Sequence, residues 1–573
     1  MRILDWIVLV AALLFIVLYG IWKGRGNKDM KGYLLANRAM PWYTVGLSII
    51  ATQASAITFL SAPGQAFSDG MRFVQFYFGL PIAMIVLCIT AVPIYHKLNV
   101  YTAYEYLENR FDLKTRVLAA FLFLIQRGIS TGLSIYAPSI ILSSLLGWNT
   151  NLTSIIIGVM VLMYTVFGGS KAVSHTQLGQ MAIILSGMVT AFFMILYLLP
   201  DDISFMEAVK VAGKTGRLNA IDLEFNPDSQ YNIWSGIIGG FFLAMSYFGT
   251  DQSQVGRYLS GSSIAQSRLG LLFNGIIKVP MQFCILFVGI MVFVFYQFVM
   301  PPVFFNTVET DKLRNSAYAA EFAVLEKKHE TIFQTRQAEI RQLVGALRSG
   351  DETSIASAEQ QLERSLALDT AVRGETVRLI KKNDKLADVN DTNYVFLNFV
   401  TTYLPAGVVG LLIAVVFSAS MSSSASAFNS LTSTTIVDVY KRIIRKDASE
   451  EHYFHMSRWI TIGWGVFCVV VALYAGRVGN LLEAVNRLGS LFYGAILGIF
   501  VCAFYFKKIR GAATFYAAII TEVVVFALFY FSSIAFLWYN VIGCLLVILI
   551  AWIFNLFLQP DPEKVPVVSA KKG

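Results

Sequence analysis

Residues 411–430 read LLIAVVFSASMSSSASAFNS, apolar at one end and crowded with hydroxyls at the other. Ser418, Ser420, Ser422, Ser423, Ser424 and Ser426 fall in a stretch long enough to cross a membrane. Lipid offers no hydrogen-bond partner, so each hydroxyl must find one inside the protein. Ala419, Ser422 and Ser423 stand at i, i+3 and i+4 and share one helix face. A backbone carbonyl and two hydroxyls on one face form part of a cage for a hard monovalent cation such as Na⁺. Small residues at this spacing also let membrane helices pack closely, and the segment alone supports both readings.

Arg127 and Lys278 lie inside apolar runs, where a charge is a functional-site candidate by default. Arg127 suits a bidentate clamp on a substrate carboxylate or a structural pair with a buried acid such as Asp251. Gln75, Tyr77, Gln126, Gln252 and Asn486 offer hydrogen-bonding groups in neighbouring runs. Cys88, Cys284, Cys468, Cys502 and Cys544 are scattered through apolar runs, and His96, His175, His329, His452 and His455 are equally dispersed. Neither set has metal-ligand spacing or the form of a disulfide framework. With no H-E-x-x-H, G-x-S-x-G or nucleotide-binding loop, an enzyme is not expected and no catalytic residue is assigned.

The elements that must position these groups are membrane helices. Of 573 residues, 56% are hydrophobic and 14% charged, against roughly 25% charged in soluble domains. The net charge of +9 sits in short loops between apolar runs, where it orients a chain in the bilayer and does not point to nucleic acid. Thirteen spans are expected near 4–22, 42–66, 73–95, 117–146, 152–169, 176–199, 232–253, 268–299, 394–437, 456–476, 480–505, 511–531 and 534–558. The first is expected to be a membrane helix rather than a signal peptide: Asp5 spoils a basic leader, no A-x-A site follows, and Lys23, Arg25, Lys28 and Lys31 come straight after. Basic loops on alternate connections place the N-terminus outside and the C-terminus in the cytoplasm.

Four regions follow: helices one to eight over 1–303, an insert over 304–392, helices nine to thirteen over 393–560, and a cytoplasmic tail over 561–573. The insert carries mixed charge. Ile340, Leu343 and Leu347 keep a helical step, as do Leu362, Leu366 and the polar Asp369, and Ser349-Gly350-Asp351 reads as a turn. An extracellular or periplasmic antiparallel helical hairpin is expected. Glycine, proline and small polar residues interrupt span two (ATQASAITFLSAPG, with Pro63 and Gly64) and span seven (Gly236, Gly239, Gly240, Gly249, then TDQSQ). Such breaks in corresponding halves point to an inverted-repeat transporter with a site near the midplane.

These pieces, with FGGSKAV before span six, YFGTDQSQVGRYL ending span seven and SASMSSSASAFNSLTSTTIVDVYKR through span nine, resemble the sodium/solute symporter family. That family includes bacterial proline, sugar and sialic acid carriers and the sodium/glucose cotransporters. The resemblance covers nearly the whole chain and implies an all-α polytopic fold, a LeuT-like five-plus-five inverted-repeat bundle with one leading helix and two trailing ones. It assigns Na⁺ to the carbonyls of Ala51, Ala54 and Ala419 and the hydroxyls of Ser422 and Ser423. Where some members hold a second ion, this chain has Ala425, Ser426 and Gln177, which implies one coupled Na⁺. Thr58 and Phe73 match positions shared with the sialic acid carriers. Ser130 stands where those carriers have a carboxylate-binding arginine, with Arg127 about one turn away. Tyr247 and Phe248 match an aromatic pair that stacks on sugar in galactose carriers. Thr58 and Tyr77 replace those carriers' galactose-binding glutamine and glutamate, which argues against a strict glucose or galactose site. The family places a lysine at Lys278 across carriers of unlike substrates, which favours a structural pair there.

The expected function is sodium-coupled import of a small polar organic solute, sugar-like or a sugar acid, by alternating access in a bacterial inner membrane. The expected partners are that solute and the lipid bilayer. The rival reading is a solute sensor or complex subunit that docks a protein through the 304–392 hairpin. A proton-coupled carrier would want a titratable acid near Ser422, and span nine has none before Asp438.

Overall fold

The computed structural model describes residues 2–24, 38–385, 387–477 and 479–558. The 561–573 tail and the basic cluster at 25–37 lie outside the described residues. The chain opens with α1 (Ile3–Gly24), followed by α2 (Trp42–Gln53) and α3 (Ala56–Asp69). A 3₁₀ turn over Gly70–Tyr77 leads to α4 (Leu80–Ile89), α5 (Ala91–Leu98), α6 (Ala103–Arg110), α7 (Leu113–Leu146), α8 (Thr150–Leu198) and α9 (Phe205–Lys214). A π-turn at Ser235–Gly239 starts α10 (Gly240–Gly249), continued by α11 (Gln252–Leu259) and α12 (Ile264–Phe298). The insert supplies α13 (Thr307–Arg314), α14 (Ala319–Ser349) and α15 (Glu352–Asn383). Beyond it stand α16 (Thr392–Tyr403), α17 (Val408–Thr434), α18 (Glu450–Tyr474), α19 (Leu481–Tyr505), α20 (Gly511–Phe531) and α21 (Leu537–Phe557). The protein is all-α and multi-pass: among the described residues, 9 helices are long and apolar enough to cross a membrane.

Span two is broken, but not where proline and glycine suggest. The helix stops at Ala54 and Ser55, whose ψ angles are 69° and 168°. Pro63 and Gly64 lie within α3. Gly64 serves contact: a Cβ there would stand 1.9 Å from the Thr392 carbonyl oxygen, so α3 and α16 meet through bare backbone. Span seven breaks at Thr250–Asp251, between α10 and α11.

The expected span 394–437 divides at Leu404–Gly407 into α16 and α17. Pro405 cannot donate a backbone hydrogen bond, and Gly407 has φ +89°, a left-handed conformation glycine adopts without Cβ strain. Helix α17 then begins on an unusual cap. The Asp5 carboxylate, from α1, accepts from the N–H groups of Gly407 (2.6 Å) and Gly410 (3.2 Å). It satisfies two orphan donors and places negative charge at a helix N-terminus.

The 49 residues of α8 carry one helical assignment, but their contacts divide them into two antiparallel passes rather than one straight helix. Gly158 packs on Val469 and Leu162 on Gly465, against the direction of α18. Gln177 reaches Ser426 and Gly187 packs on Val415, against the direction of α17. Helices α17 and α18 are themselves antiparallel neighbours, bonded through Thr432 and Thr461. The chain therefore reverses between Leu162 and Gln177, in the region of FGGSKAV.

Helices α14 and α15 pair as a hairpin turned at Gly350 (φ +73°), with Asp351 capping α15 through Thr353 and Ser354. Asp369, the polar member of the apolar stripe, is buried with two partners, His329 (2.6 Å) and Arg336 (3.0 Å). The hairpin leans on the α8–α9 connection and α9 through Arg341–Asp202 (3.2 Å), Arg348–Glu207 (2.6 Å) and Lys214–Glu359 (2.7 Å). At the other end of the bundle, Arg110 donates to the carbonyls of Phe506, Lys507 and Ile509, and Arg510 to that of Leu558.

Candidate cation site and solute cavity

At the α2–α3 break, the Ser55 N–H turns to the Gln53 carbonyl (2.9 Å). In a continuous helix it would have satisfied Ala51. The freed Ala51 carbonyl accepts instead from Ser422 Oγ on α17, at 3.2 Å. One residue on, Ser423 Oγ donates to the carbonyls of Ala419 (3.0 Å) and Ser420 (3.2 Å). Ala51, Ala54, Ala419 and Ser422 are at most 1% exposed and Ser423 is 8% exposed. These oxygens are all uncharged. Each hydroxyl can rotate its proton away and turn a lone pair to a shared ion, which suits a monovalent cation that must also leave.

The break borders a cavity of about 130 Å³. A buried water needs roughly 10–15 Å³ by this measure, so the space admits on the order of ten waters or one small solute. Gln53, Ser55 and Thr58 line one wall, with Tyr77, Arg127, Ser130, Tyr247, Phe248, Lys278, Asn486 and Tyr493 around it. The two rings expected to face a solute, Tyr247 and Phe248, form an edge-to-face pair with centroids 5.0 Å apart.

Four of the residues expected to touch solute turn elsewhere. Phe73 stacks on Phe76 and meets Tyr231 edge-on, off the cavity. Gln75 donates to the Tyr231 carbonyl (3.1 Å) and accepts from the Asp222 N–H (3.0 Å). Gln252 ties α11 to the start of α6 through Tyr101 O (2.9 Å) and the Ala103 N–H (3.0 Å). Gln126 reaches Tyr493 Oη (3.3 Å). A buried amide must be satisfied, and in Gln75 and Gln252 the nearest unsatisfied backbone takes it.

Arg127 pairs with Asp251 at the span-seven break, and Tyr493 Oη donates to the same carboxylate oxygen at 3.1 Å. The other oxygen accepts from Ser253 N (2.8 Å) and Oγ (2.6 Å). The guanidinium lies over the Tyr247 ring, 5.4 Å from its centroid. Arg127 therefore has the acid partner expected of a structural pair, which holds α7 to the α10–α11 break, and it also borders the cavity.

Residues 33–321 and 378–521 match the family model of the Sodium:solute symporter family. The chain belongs to that family. Sodium-coupled monocarboxylate transporter 1 of Xenopus laevis is 26% identical over 520 residues, covering 88% of this chain and 68% of that protein. The sodium/sialic acid symporter SiaT of Proteus mirabilis is 23% identical over 558 residues, covering 95% and 93%. The solved structure of a Na⁺-coupled sialic acid symporter, substrate-bound and outward-open, matches with a TM-score of 0.74 at 21% identity, over 98% of this chain and 99% of that one. This symporter is thus a sodium-coupled transporter with Na⁺ as its coupling ion, not an enzyme.

In the symporter, Gln177 fills the second locus that the resemblance left incomplete. Its Nε2 donates to Ser426 Oγ (3.0 Å) and Thr52 Oγ1 (3.4 Å), and its Oε1 accepts from Ser48 Oγ (2.6 Å). An amide nitrogen carrying two protons stands among the hydroxyls. The sequence reading missed Gln53, Ser55 and Tyr493 as cavity walls. It also expected a structural pair for Lys278, which instead borders the cavity with no ion pair or hydrogen bond among the described residues. Hydropathy could locate that lysine but not its surroundings.

Proposed function

We propose that this symporter imports a small polar organic solute, sugar-like or a sugar acid, with one Na⁺ per turnover by alternating access. The observation that carries the reading is the Ser422–Ala51 bond, which joins α17 to the broken second span at the edge of the cavity. Na⁺ held by Ala51, Ala54, Ala419, Ser422 and Ser423 stabilises one arrangement of those helices. Solute binds beside it, and rocking of one repeat against the other exposes both to the far side. The amide of Gln177 supports a stoichiometry of one, because its donors occupy the oxygens a second ion would need. Inward movement of one charge gains about 2.3 kcal/mol per 100 mV, and a tenfold sodium gradient adds about 1.4 kcal/mol.

The face carrying Arg110, Arg442 and Arg510 is read as cytoplasmic by the basic-loop rule, which puts the N-terminus and hairpin outside a bacterial inner membrane. The test is solute uptake into proteoliposomes with an imposed sodium gradient. Wild type accumulates solute only with an inwardly directed sodium gradient, and Ser422→Ala and Ser423→Ala need more sodium for the same uptake.

The second reading, a docking role for the hairpin, rests on a separate observation. The family match passes over 322–377, and the insert that contains this segment has a small core of its own around Phe304, Leu313, Phe322, Val372 and Ile380.

A further inference from the structure

A second cavity, of about 320 Å³, lies at the root of the hairpin. Tyr136 of α7, Trp148 on the α7–α8 turn and Tyr394 of α16 line it, together with Asn306, Glu309 and Asp388. Tyr136 reaches across to the end of α18, where a Cβ on Gly476 would stand 2.7 Å from its hydroxyl. Among the described residues, none lines both this cavity and the solute cavity. Two of the acids at the root have a cation: Glu309 pairs with Lys312 (2.8 Å) and Asp391 with Arg373 (2.6 Å). Asp388 accepts from the Asn390 N–H (3.2 Å) and the Tyr394 hydroxyl (3.3 Å), and among the described residues no cation pairs with it. Asn306 is 2% exposed, and its Oδ1 has no hydrogen-bond partner among the described residues.

We propose that this cavity binds an organic ammonium ion, its charge against the Asp388 carboxylate and its alkyl groups against the aromatic walls. A sheltered carboxylate without a counter-charge is costly, and aromatic faces attract cations through the ring quadrupole. An anion meets two carboxylates here and is repelled. A neutral solute of the same shape gains neither attraction. A bare calcium ion wants six to eight oxygens at about 2.3–2.6 Å, whereas Glu309 is committed to Lys312 and the space is far larger than such a cage. The site is independent of the carrier reading, since binding there needs neither Na⁺ nor transported solute.

The occupant competes with a proton. Asp388 is faced by Glu309 and Lys312 of α13, by Asp391 with its partner Arg373, and by the phenols of Tyr136 and Tyr394. Burial, with Glu309 and Asp391 nearby, pushes the Asp388 carboxyl up to about 7. Phenols titrate near 10 and ion-paired acids well below 5, so Asp388 is the member of this group that changes charge between pH 6 and 8. A cation must displace its proton at the lower end of that range. Affinity therefore rises with pH through about 7 and levels off above it.

The experiment measures equilibrium binding of labelled choline to the purified full chain between pH 6 and 8.5, with 3,3-dimethylbutan-1-ol, its uncharged carbon isostere, as competitor. The proposal expects choline to bind about tenfold or more tighter than the isostere at pH 8, with affinity falling as pH drops below 7. Asp388→Asn, which keeps the shape and removes the charge, should abolish both the preference and the pH dependence, and Tyr136→Ala should weaken choline severalfold. Equal affinity for choline and the isostere overturns the proposal, as does the absence of choline binding. Choline binding untouched by both variants places the ion elsewhere and overturns it too. Displacement of choline by calcium chloride at lower concentration than by unlabelled choline would make this an inorganic cation site and overturn the organic class. The choline–isostere comparison uses wild type alone and does not depend on either variant folding.

Discussion

Ser422 Oγ donates to the Ala51 carbonyl at 3.2 Å, across 371 residues of chain. That carbonyl is free because α2 ends two residues later, and the serine faces it because α17 passes the break. The two halves of the bundle therefore meet at an oxygen whose helical partner has been removed.

Ser422→Ala and Ser423→Ala each remove one oxygen ligand from a charged guest. Hydrogen bonds to charged groups are worth roughly 1.5–3 kcal/mol, so each variant should raise the sodium concentration for half-maximal uptake by about tenfold or more. Sodium titrations of uptake in proteoliposomes measure this. Unchanged titrations for both variants would show that the ion sits elsewhere.

Gln177→Glu places a carboxylate among Ser48, Thr52 and Ser426 and removes the amide protons that face their oxygens. The expected result is a second sodium site. Paired flux measurements of labelled sodium and solute should move from a ratio of one towards two. A wild-type ratio already at two would contradict the blocking role given to the amide.

Arg127→Ala leaves the buried Asp251 carboxylate without its cation. Breaking a buried pair on one side costs about 3–5 kcal/mol, so the variant should unfold at markedly lower temperature in detergent. The double variant Arg127→Ala with Asp251→Ala should recover part of that loss. Additive losses in the double-mutant cycle would mean that the two residues are uncoupled.

Asp388, at the root of the hairpin, has its carboxyl pushed up to about 7 by burial, reinforced by Glu309 and Asp391. The folded protein therefore keeps a proton that the unfolded chain releases from about pH 4 upward. Stability from this residue is greatest at low pH and falls as pH rises towards 7. Asp388→Asn should flatten the decline in thermal stability between pH 5 and 8. A wild-type curve that rises over this range would overturn the assignment.

Much of this was legible in the residues themselves. The helix-spaced apolar stripe on Ile340 and Leu343, broken at Ser349-Gly350-Asp351, gives the hairpin because helix periodicity and turn chemistry are local. Arg127 was readable as a clamp or as a partner of Asp251, since an intramembrane guanidinium must have one. Other readings failed for equally physical reasons. ATQASAITFLSAPG contains both a true break and a proline that its helix tolerates, and composition does not tell them apart. Asp5 reads in the sequence only as a stray acid in an apolar run, whereas its partners are donors some 400 positions away. Gln75 and Gln252 have the same chemistry as a solute ligand, and nearby backbone claimed them.

Residue order alone specified a multi-pass helical protein, the two interrupted spans, and the serine face of α17, because hydropathy, periodicity and small-residue crowding act over one helix at a time. It took the packed bundle to bring Ser422 to Ala51, to put Gln177 in the second locus, and to leave Lys278 with a tyrosine ring and no acid beside it. Each of those depends on which distant helix supplies the opposing wall, and a partner's identity is not encoded in the spacing of the residue that needs it.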